Sequence, residues 1–482
     1  MSSAVARAID DDVEEAEAAG ARRWVALGLV CVGALMIVLD GTIVNIALPS
    51  IQRDLGFTQS GLAWVVNAYV LTFGGFLLLG GRAADLIGRR TMFTAGLALF
   101  TAASLLCGFA TSQEMLIAGR AVQGVGGAIV QAVALSLILD LFQEQSVRAK
   151  AMSVWGFVAS AGGAVGVVLG GVLTQTGDWH LIFLLNVPIG VLAIVLARPL
   201  LPAAPGVGLR AGVDIGGAVT ITAAPILAVY GILGAPETGW ASPQVIGSLV
   251  LAILMLAAFV AIERRARAPI VPLAIFRSPA ISISNVITVC MMAGFFSWFF
   301  FSPLYMQRVL GFNAIETGLG FLPAMLTFGA MSLGISAKIV GRLGPKRALI
   351  AGLSLASAGF VLLARTPVAG SYAVDLAPAM CLIAVGGGLA FLPLILIAVG
   401  DARPQDAGLA SGLVSTSQMV GGAVGLAVLV TVAAARTAAV GAAVDAAALN
   451  EGYHAAFIVA GLATVAGLVL AMRLPAQVAP PG

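Results

Sequence analysis

Two residues stand out for chemistry because of where they lie. Asp40 is the one acidic residue of 22 that falls well inside an apolar stretch, and Arg120 is the one basic residue of 25 so placed. An unpaired charge in hydrocarbon costs at least a few kcal/mol, so each needs a partner or water. The stretch at 24–47 puts Asp40 roughly 10 Å from its far end, and the stretch at 114–139 puts Arg120 about 9 Å from its near end, at helical rise. If the two stretches run in opposite directions, the groups meet at one level. Desolvation then favours a neutral carboxyl while the guanidinium favours a charged one, and a group so balanced can take up and release a proton as water reaches it from alternate sides. The competing reading is a static buried ion pair that fixes two helices.

Other chemistries find little support. Cys31, Cys107, Cys290 and Cys381 all fall in apolar stretches without metal-ligand spacing, and read as small packing residues. His180 and His454 have no second ligand candidate at metal spacing. With no paired catalytic constellation and no segment long enough for a separate catalytic domain, the chain is expected to be neither an enzyme nor a cofactor or metal protein, and not a nucleic-acid binder.

The elements that must hold these residues follow from composition. The chain has 482 residues, 60% hydrophobic and 10% charged, against about 25% charged in a soluble domain. Its apolar blocks of about 20 residues are long enough to cross a bilayer as helices. Fourteen are expected, at 24–47, 62–80, 91–110, 114–139, 151–173, 181–200, 214–234, 244–262, 281–303, 316–336, 347–364, 373–399, 409–433 and 453–472. With both termini cytoplasmic, this layout puts 20 of the 25 basic residues on the inner side and only Arg53, Arg308, Arg365 and Arg436 on the outer, Arg120 being within a span. That asymmetry is the one retained cytoplasmic charge produces. Asp10, Asp11, Asp12, Glu14, Glu15 and Glu17 form an acidic tail expected to be disordered, and the first span is expected to be a retained helix rather than a cleaved signal.

The ends of the chain resemble each other. Gly162-Gly163-Ala164-Val165-Gly166 in the fifth span recurs as Gly421-Gly422-Ala423-Val424-Gly425 in the thirteenth, and the basic loop Gly81 to Arg90 has a weaker echo in Gly341 to Arg347. The pattern implies an all-α membrane protein of two six-helix repeats, related by an axis along the membrane normal, with two helices inserted between them. Its expected divisions are the tail 1–23, a bundle 24–200, the inserted pair with linkers 201–280, a bundle 281–474 and a tail 475–482.

The run Leu39-Asp40-Gly41-Thr42-Ile43-Val44-Asn45-Ile46-Ala47-Leu48-Pro49 resembles the first-helix signature of the fourteen-helix drug-proton antiporters of the major facilitator superfamily. Gly81-Arg82-Ala83-Ala84-Asp85-Leu86-Ile87-Gly88-Arg89-Arg90 resembles the loop between helices two and three. Leu116 to Ala128, with Arg120, Gln123 and Gly124, resembles the fourth-helix motif; Trp64, Tyr69 and Asp178 to Gly190 fit the same family. The resemblance covers most of the chain. It implies a proton-coupling role for Asp40 with Arg120, and a gating loop of Gly81, Asp85, Gly88, Arg89 and Arg90 that latches the two halves through charge-assisted bonds. Retained positive charge alone would explain those arginines but not Asp85 or Gly88.

Two positions depart from the family. Leu86 stands where a basic residue is common, and Val167 stands where the fifth helix usually carries proline, although Gly162, Gly166, Gly170 and Gly171 keep the small-residue spacing for close packing. Candidate cavity residues are Asn45, Trp64, Asn67, Tyr69, Gln123, Gln131, Trp298, Phe301 and Gln418. Consecutive residues point all round a helix, so most rings of Phe295 to Phe301 are expected to face lipid or packing, with Trp298 and Phe301 or Phe295 facing the cavity.

The function expected is export of small amphipathic organic molecules, driven by the proton gradient, by a monomer in a bacterial inner membrane. Family members that take dications often carry extra membrane carboxylates, so the resemblance implies that this chain, whose second half has no mid-span carboxylate and only Asp375 near an end, is less suited to them. Alternatives are a lipid or glycolipid flippase of the same fold and a non-transporting membrane sensor.

Overall fold

The computed structural model describes residues 2–176, 178–202, 206, 208, 215–266, 269–403, 406–440 and 445–474, and of 2–19 the backbone alone. The C-terminal tail, most of the linker at 201–214 including Arg210, and Arg267 lie outside the described residues. Among the described residues, fourteen helices are long and apolar enough to cross a membrane. They are α1 (Gly20–Leu55), α2 (Gln59–Ile87), α3 (Arg89–Cys107), α4 (Gln113–Leu141), α5 (Lys150–Thr176), α6 (Leu181–Leu200) and α7 (Gly216–Thr238). After these come α8 (Pro243–Glu263), α9 (Pro279–Arg308), α10 (Ala314–Leu343), α11 (Pro345–Leu363), α12 (Tyr372–Gly400), α13 (Gly408–Val440) and α14 (Ala446–Arg473).

Local chemistry sets many of the boundaries. Thr58, Ser112, Ser242, Ser278 and Asp445 cap helix starts with their side chains, and Asn313 with Glu316 forms a reciprocal capping box at α10. Pro49 does not end the first span; the helix runs on to Leu55 and stops before Gly56, whose φ is +67°. The acidic segment, expected to be disordered, has a helical backbone continuous with α1 from Ser2, as its Ala and Glu content favours. Gly88 (φ +113°) joins α2 to α3 and Gly344 (φ +79°) joins α10 to α11. The same sharp joint thus recurs in both repeats, at a conformation that L side chains rarely adopt.

Helices α1–α6 and α9–α14 form two bundles with matched packing. In the first, α5 lies on α1 and α4 on α3; in the second, α13 lies on α9 and α12 on α11. The halves meet where α2 packs on α13 and α5 on α10. Helix α7 packs on both α2 and α13, with α8 beside it. Large apolar side chains face outward, among them Val195 at 64% and Ile253 at 68% exposure, a surface suited to lipid rather than water. The α2–α3 and α10–α11 joints share one face, called here the basic face for the arginines around them.

Candidate functional site

The carboxylate and guanidinium meet. Asp40 and Arg120 are each 1% exposed, and Arg120 Nη1 donates to Asp40 Oδ2. Helices running in opposite directions bring the pair to one level, as the depths implied. The other carboxylate oxygen accepts from Gln123 Nε2 at 2.8 Å and from Asn186 Nδ2 at 3.3 Å. Arg120 also donates through Nε to the Val65 carbonyl at 3.0 Å and through Nη1 to Gln123 Oε1 at 2.7 Å. Its guanidinium carbon lies 4.3 Å from the centre of the Tyr69 ring, a cation–π contact. The Ser104 hydroxyl accepts from both Gln123 (2.7 Å) and Asn186 (3.1 Å). Five helices, α1, α2, α3, α4 and α6, therefore converge on one buried ion pair.

Gln123 and Arg120 reach the same carboxylate because they stand three residues apart on one face of α4. Asn186 and Ser104 were not singled out from sequence. A serine in an apolar span carries no distinguishing signal, whereas Asn186 lies inside the Asp178 to Gly190 run and its polarity on an apolar helix was the one signal available.

The remaining candidates scatter. Asn67 and Tyr69 are buried, Tyr69 with its ring against the Arg120 guanidinium, and the Asn67 amide and Tyr69 hydroxyl make no hydrogen bond among the described residues. Asn45 donates back to the Gly41 carbonyl of its own helix at 2.7 Å. Gln131 and Gln418 are half-buried. Trp64 sets its ring against Tyr230 of α7, centres 6.4 Å apart, and so faces the inserted pair. Trp298 is wholly buried among Phe295, Phe299 and Phe321. Phe301 turns instead to Tyr453 and Phe457 of α14. The expectation that Phe301 faces a cavity is corrected: it lies three residues from Trp298, but the α14 rings fill its side of the helix. Phe295 belongs with Trp298.

The loop motif bonds within one half. Arg89 pairs with Asp140 at the end of α4 and lies 3.7 Å from Asp85, while Arg90 Nη1 reaches the Arg198 carbonyl at 3.4 Å. A Cβ on Gly81 would have only Ala132 within reach, at 3.9 Å. Among the described residues Asp85 pairs with Arg89 at the start of α3 and makes no bond to the second half.

The glycine motif locks α5 onto the stretch of α1 that carries Asp40. A Cβ on Gly166 would come 2.0 Å from Thr42 Oγ1, one on Gly170 3.0 Å from the Ile43 carbonyl oxygen, and one on Gly162 2.8 Å from Leu35. Gly171 faces α10 instead, at 2.6 Å from the Ala314 carbonyl oxygen. In the second half Gly421 and Gly425 seat α13 on Val289 and Ala293 of α9 in the same manner.

Comparison with known proteins fits this architecture. The Major Facilitator Superfamily family model matches residues 30–426. The chain is similar to a puromycin resistance protein of Streptomyces alboniger, 40% identical over 86% of this chain and 83% of that one. It is also similar to a cephamycin export protein of Amycolatopsis lactamdurans, 38% identical over 95% and 94%. Among solved structures it shares its fold with a bacterial homologue of the human lysosomal transporter Spinster, at TM-score 0.69 and 14% identity over 94% of this chain and 96% of that one. Two matched six-helix bundles, two inserted helices and a family match across most of the length make this chain a multi-pass membrane transporter belonging to the Major Facilitator Superfamily.

Proposed function

We propose that the protein exports small amphipathic organic molecules in exchange for protons, by rocking its two halves about a central site, with Asp40 as the proton carrier. The observation that carries this reading is the Asp40–Arg120 pair, 1% exposed, with a complete set of donors around the carboxylate. Such a shell stabilises the ionised carboxylate, and one proton dissolves it: a neutral Asp40 no longer offsets the Arg120 charge in a low-dielectric interior. Arg120 must then find other acceptors. The buried Tyr69 hydroxyl, on the ring that Arg120 contacts, makes no hydrogen bond among the described residues and is a polar group that a substrate can satisfy. Proton and substrate would thereby compete for one polar cluster, which is what exchange requires.

The resistance and export functions named for the relatives support drug or antibiotic export, and the charge asymmetry supports a basic face on the cytoplasmic side with both termini inside a bacterial cytoplasmic membrane. We expect a monomer acting on neutral, anionic or monocationic compounds. The test uses acidified inverted vesicles holding a pH dye, challenged with a compound panel. Substrate addition should dissipate the gradient with the wild type and not with Asp40→Asn; an equal response in the variant overturns the role of Asp40.

A further inference from the structure

The two halves meet along two seams, α2 with α13 and α5 with α10, which a two-fold repeat would make alike. They are not alike. Over the first, α7 lies close: a Cβ on Gly75 would come 2.4 Å from Thr222 Oγ1, and Thr431 Oγ1 of α13 donates to the Ile232 carbonyl at 3.0 Å. At the far end Glu237 accepts from Thr58 and Ser60 at the start of α2, both at 2.9 Å. Toward the basic face Phe259 of α8 and Val271 of the following linker pack with Leu413 of α13. What remains beneath them is a narrow apolar space of about 210 Å³.

Among the described residues no helix covers the second seam. Away from the basic face α5 and α10 are in contact: a Cβ on Gly318 would lie 2.4 Å from the Val167 carbonyl oxygen, and Ala314 N donates to Gln175 Oε1 at 3.2 Å. Toward the basic face the helices part around an apolar groove of about 620 Å³, lined by residues including Phe157, Ala164, Val168, Met325, Ala330 and Leu333. Phe157 is 53% and Leu333 55% exposed, so the groove opens to hydrocarbon. Its volume suits a drug-sized ligand.

The inner wall of the groove is thin and soft. Met325 is buried, and a Cβ on Gly163 would find only its sulfur, at 3.8 Å; an unbranched thioether opposite a glycine can shift without disturbing a packed core. Three residues on, Phe328 stands with Phe391 and Phe295, ring centres 5.8 and 6.3 Å away, offering aromatic faces to a flat guest. Helix α10 is also broken at Met331–Ile335, where Gly334 has φ +130°, a natural hinge at the mouth of the groove.

We infer that the α5–α10 seam is the port through which membrane-dissolved, lipophilic substrates pass from the leaflet on the basic face, and that α7 and α8 close the other seam so that this port works alone. The inference rests on the export reading above and names its substrate class. A lipid acyl chain as resident occupant is the competing outcome.

The test adds bulk inside the groove with Ala330→Trp, at an exposed position where the indole stays out of the core, against Val195→Trp on the lipid face of α6 as a control. The substrates are rhodamine alkyl esters differing only in chain length, from methyl to hexyl. Ala330→Trp should raise the apparent KM at least tenfold for the hexyl ester and less than twofold for the methyl ester, with Val195→Trp unchanged. An equal loss along the series, or none, overturns the port.

A second arm needs no turnover: N-pyrenylmaleimide labelling of Ala330→Cys in bilayers, corrected for the native cysteines. The hexyl ester should slow labelling several-fold more than the methyl ester. Equal protection by both, or protection by added phospholipid alone, overturns the substrate port. Failure of the export reading shows separately, as a wild type that dissipates no pH gradient with any ester while the labelling result still decides the seam.

Discussion

At the scale of single residues, the arrangement around Asp40 makes a quantitative demand. Arg120→Ala would leave a buried carboxylate without its charge partner, a change that costs about 3–5 kcal/mol in comparable buried pairs. Adding Asp40→Asn removes the orphaned charge and should recover most of that loss, although under the proposed exchange neither variant should couple transport to protons. Thermal unfolding in detergent of the two single variants and the double variant checks this; additive losses would mean that the two side chains do not act as a pair. The pairing itself was legible in the sequence, because a lone carboxylate and a lone guanidinium in hydrocarbon have few other places to go. The rest of the shell was not. Ser104 and Asn186 are ordinary in type, and only the convergence of α3 and α6 gives them a role. Trp298 and Phe301 show the same limit from the other side: neighbouring rings on α9 differ in role through what packs against each, and α14 sits where Phe301 points.

At the scale of helices, glycines decide how closely α5 and α13 approach their partners. The matching Gly-Gly-Ala-Val-Gly runs foretold the repeat, and the structure gives them equivalent jobs on α1 and α9. Their surroundings nevertheless differ. Gly166 faces the Thr42 hydroxyl, whereas a Cβ on Gly425 would lie 2.2 Å from the Cβ and 2.4 Å from the Cα of Ala293. Each substitution to Ala should cost about 1–3 kcal/mol by overpacking. Thr42→Ala should relieve Gly166→Ala, since a side-chain oxygen is the obstacle, but Ala293→Gly should relieve Gly425→Ala only in part, since the backbone remains. Melting temperatures of the four single and two double variants test this, and full rescue at both sites would contradict it. Helix α5 runs unbroken from Lys150 to Thr176, with Val167 at the position where the family resemblance leads one to expect proline. The position of α7 and α8 was beyond the sequence, because an insertion between repeats says how many helices are added and nothing about which seam they cover.

At the scale of the whole molecule, three hydrogen bonds among the described residues join the two bundles away from the basic face. Gln307 Nε2 donates to the Ile46 carbonyl at 3.0 Å, Arg308 donates to the Gln52 side chain, and Ala314 N donates to Gln175 at 3.2 Å. On the basic face the Asp85, Arg89 and Arg90 bonds stay inside the first half. The halves are thus tied by hydrogen bonds at the face away from the basic one, the arrangement expected of a state closed there. If the halves rock, weakening a tie at that face should shift the balance toward the opposite state by the energy of the bond removed. Gln307→Leu deletes one neutral hydrogen bond at nearly constant volume, worth about 1 kcal/mol, or about a five-fold change in the ratio of states. The shift is read with Ser50→Cys, which lines the pocket at this face beside Gln307, as the reporter for a membrane-impermeant thiol reagent. Adding Gln307→Leu should speed its labelling several-fold, while Ser415→Cys, toward the basic end of α13, should label more slowly. Rates that rise at both positions would signal general loosening, and rates that hold at both would mean the tie bears no load. Only opposite changes at the two faces follow from one rigid movement of the halves, so this pair of rates tests the rocking itself apart from any substrate.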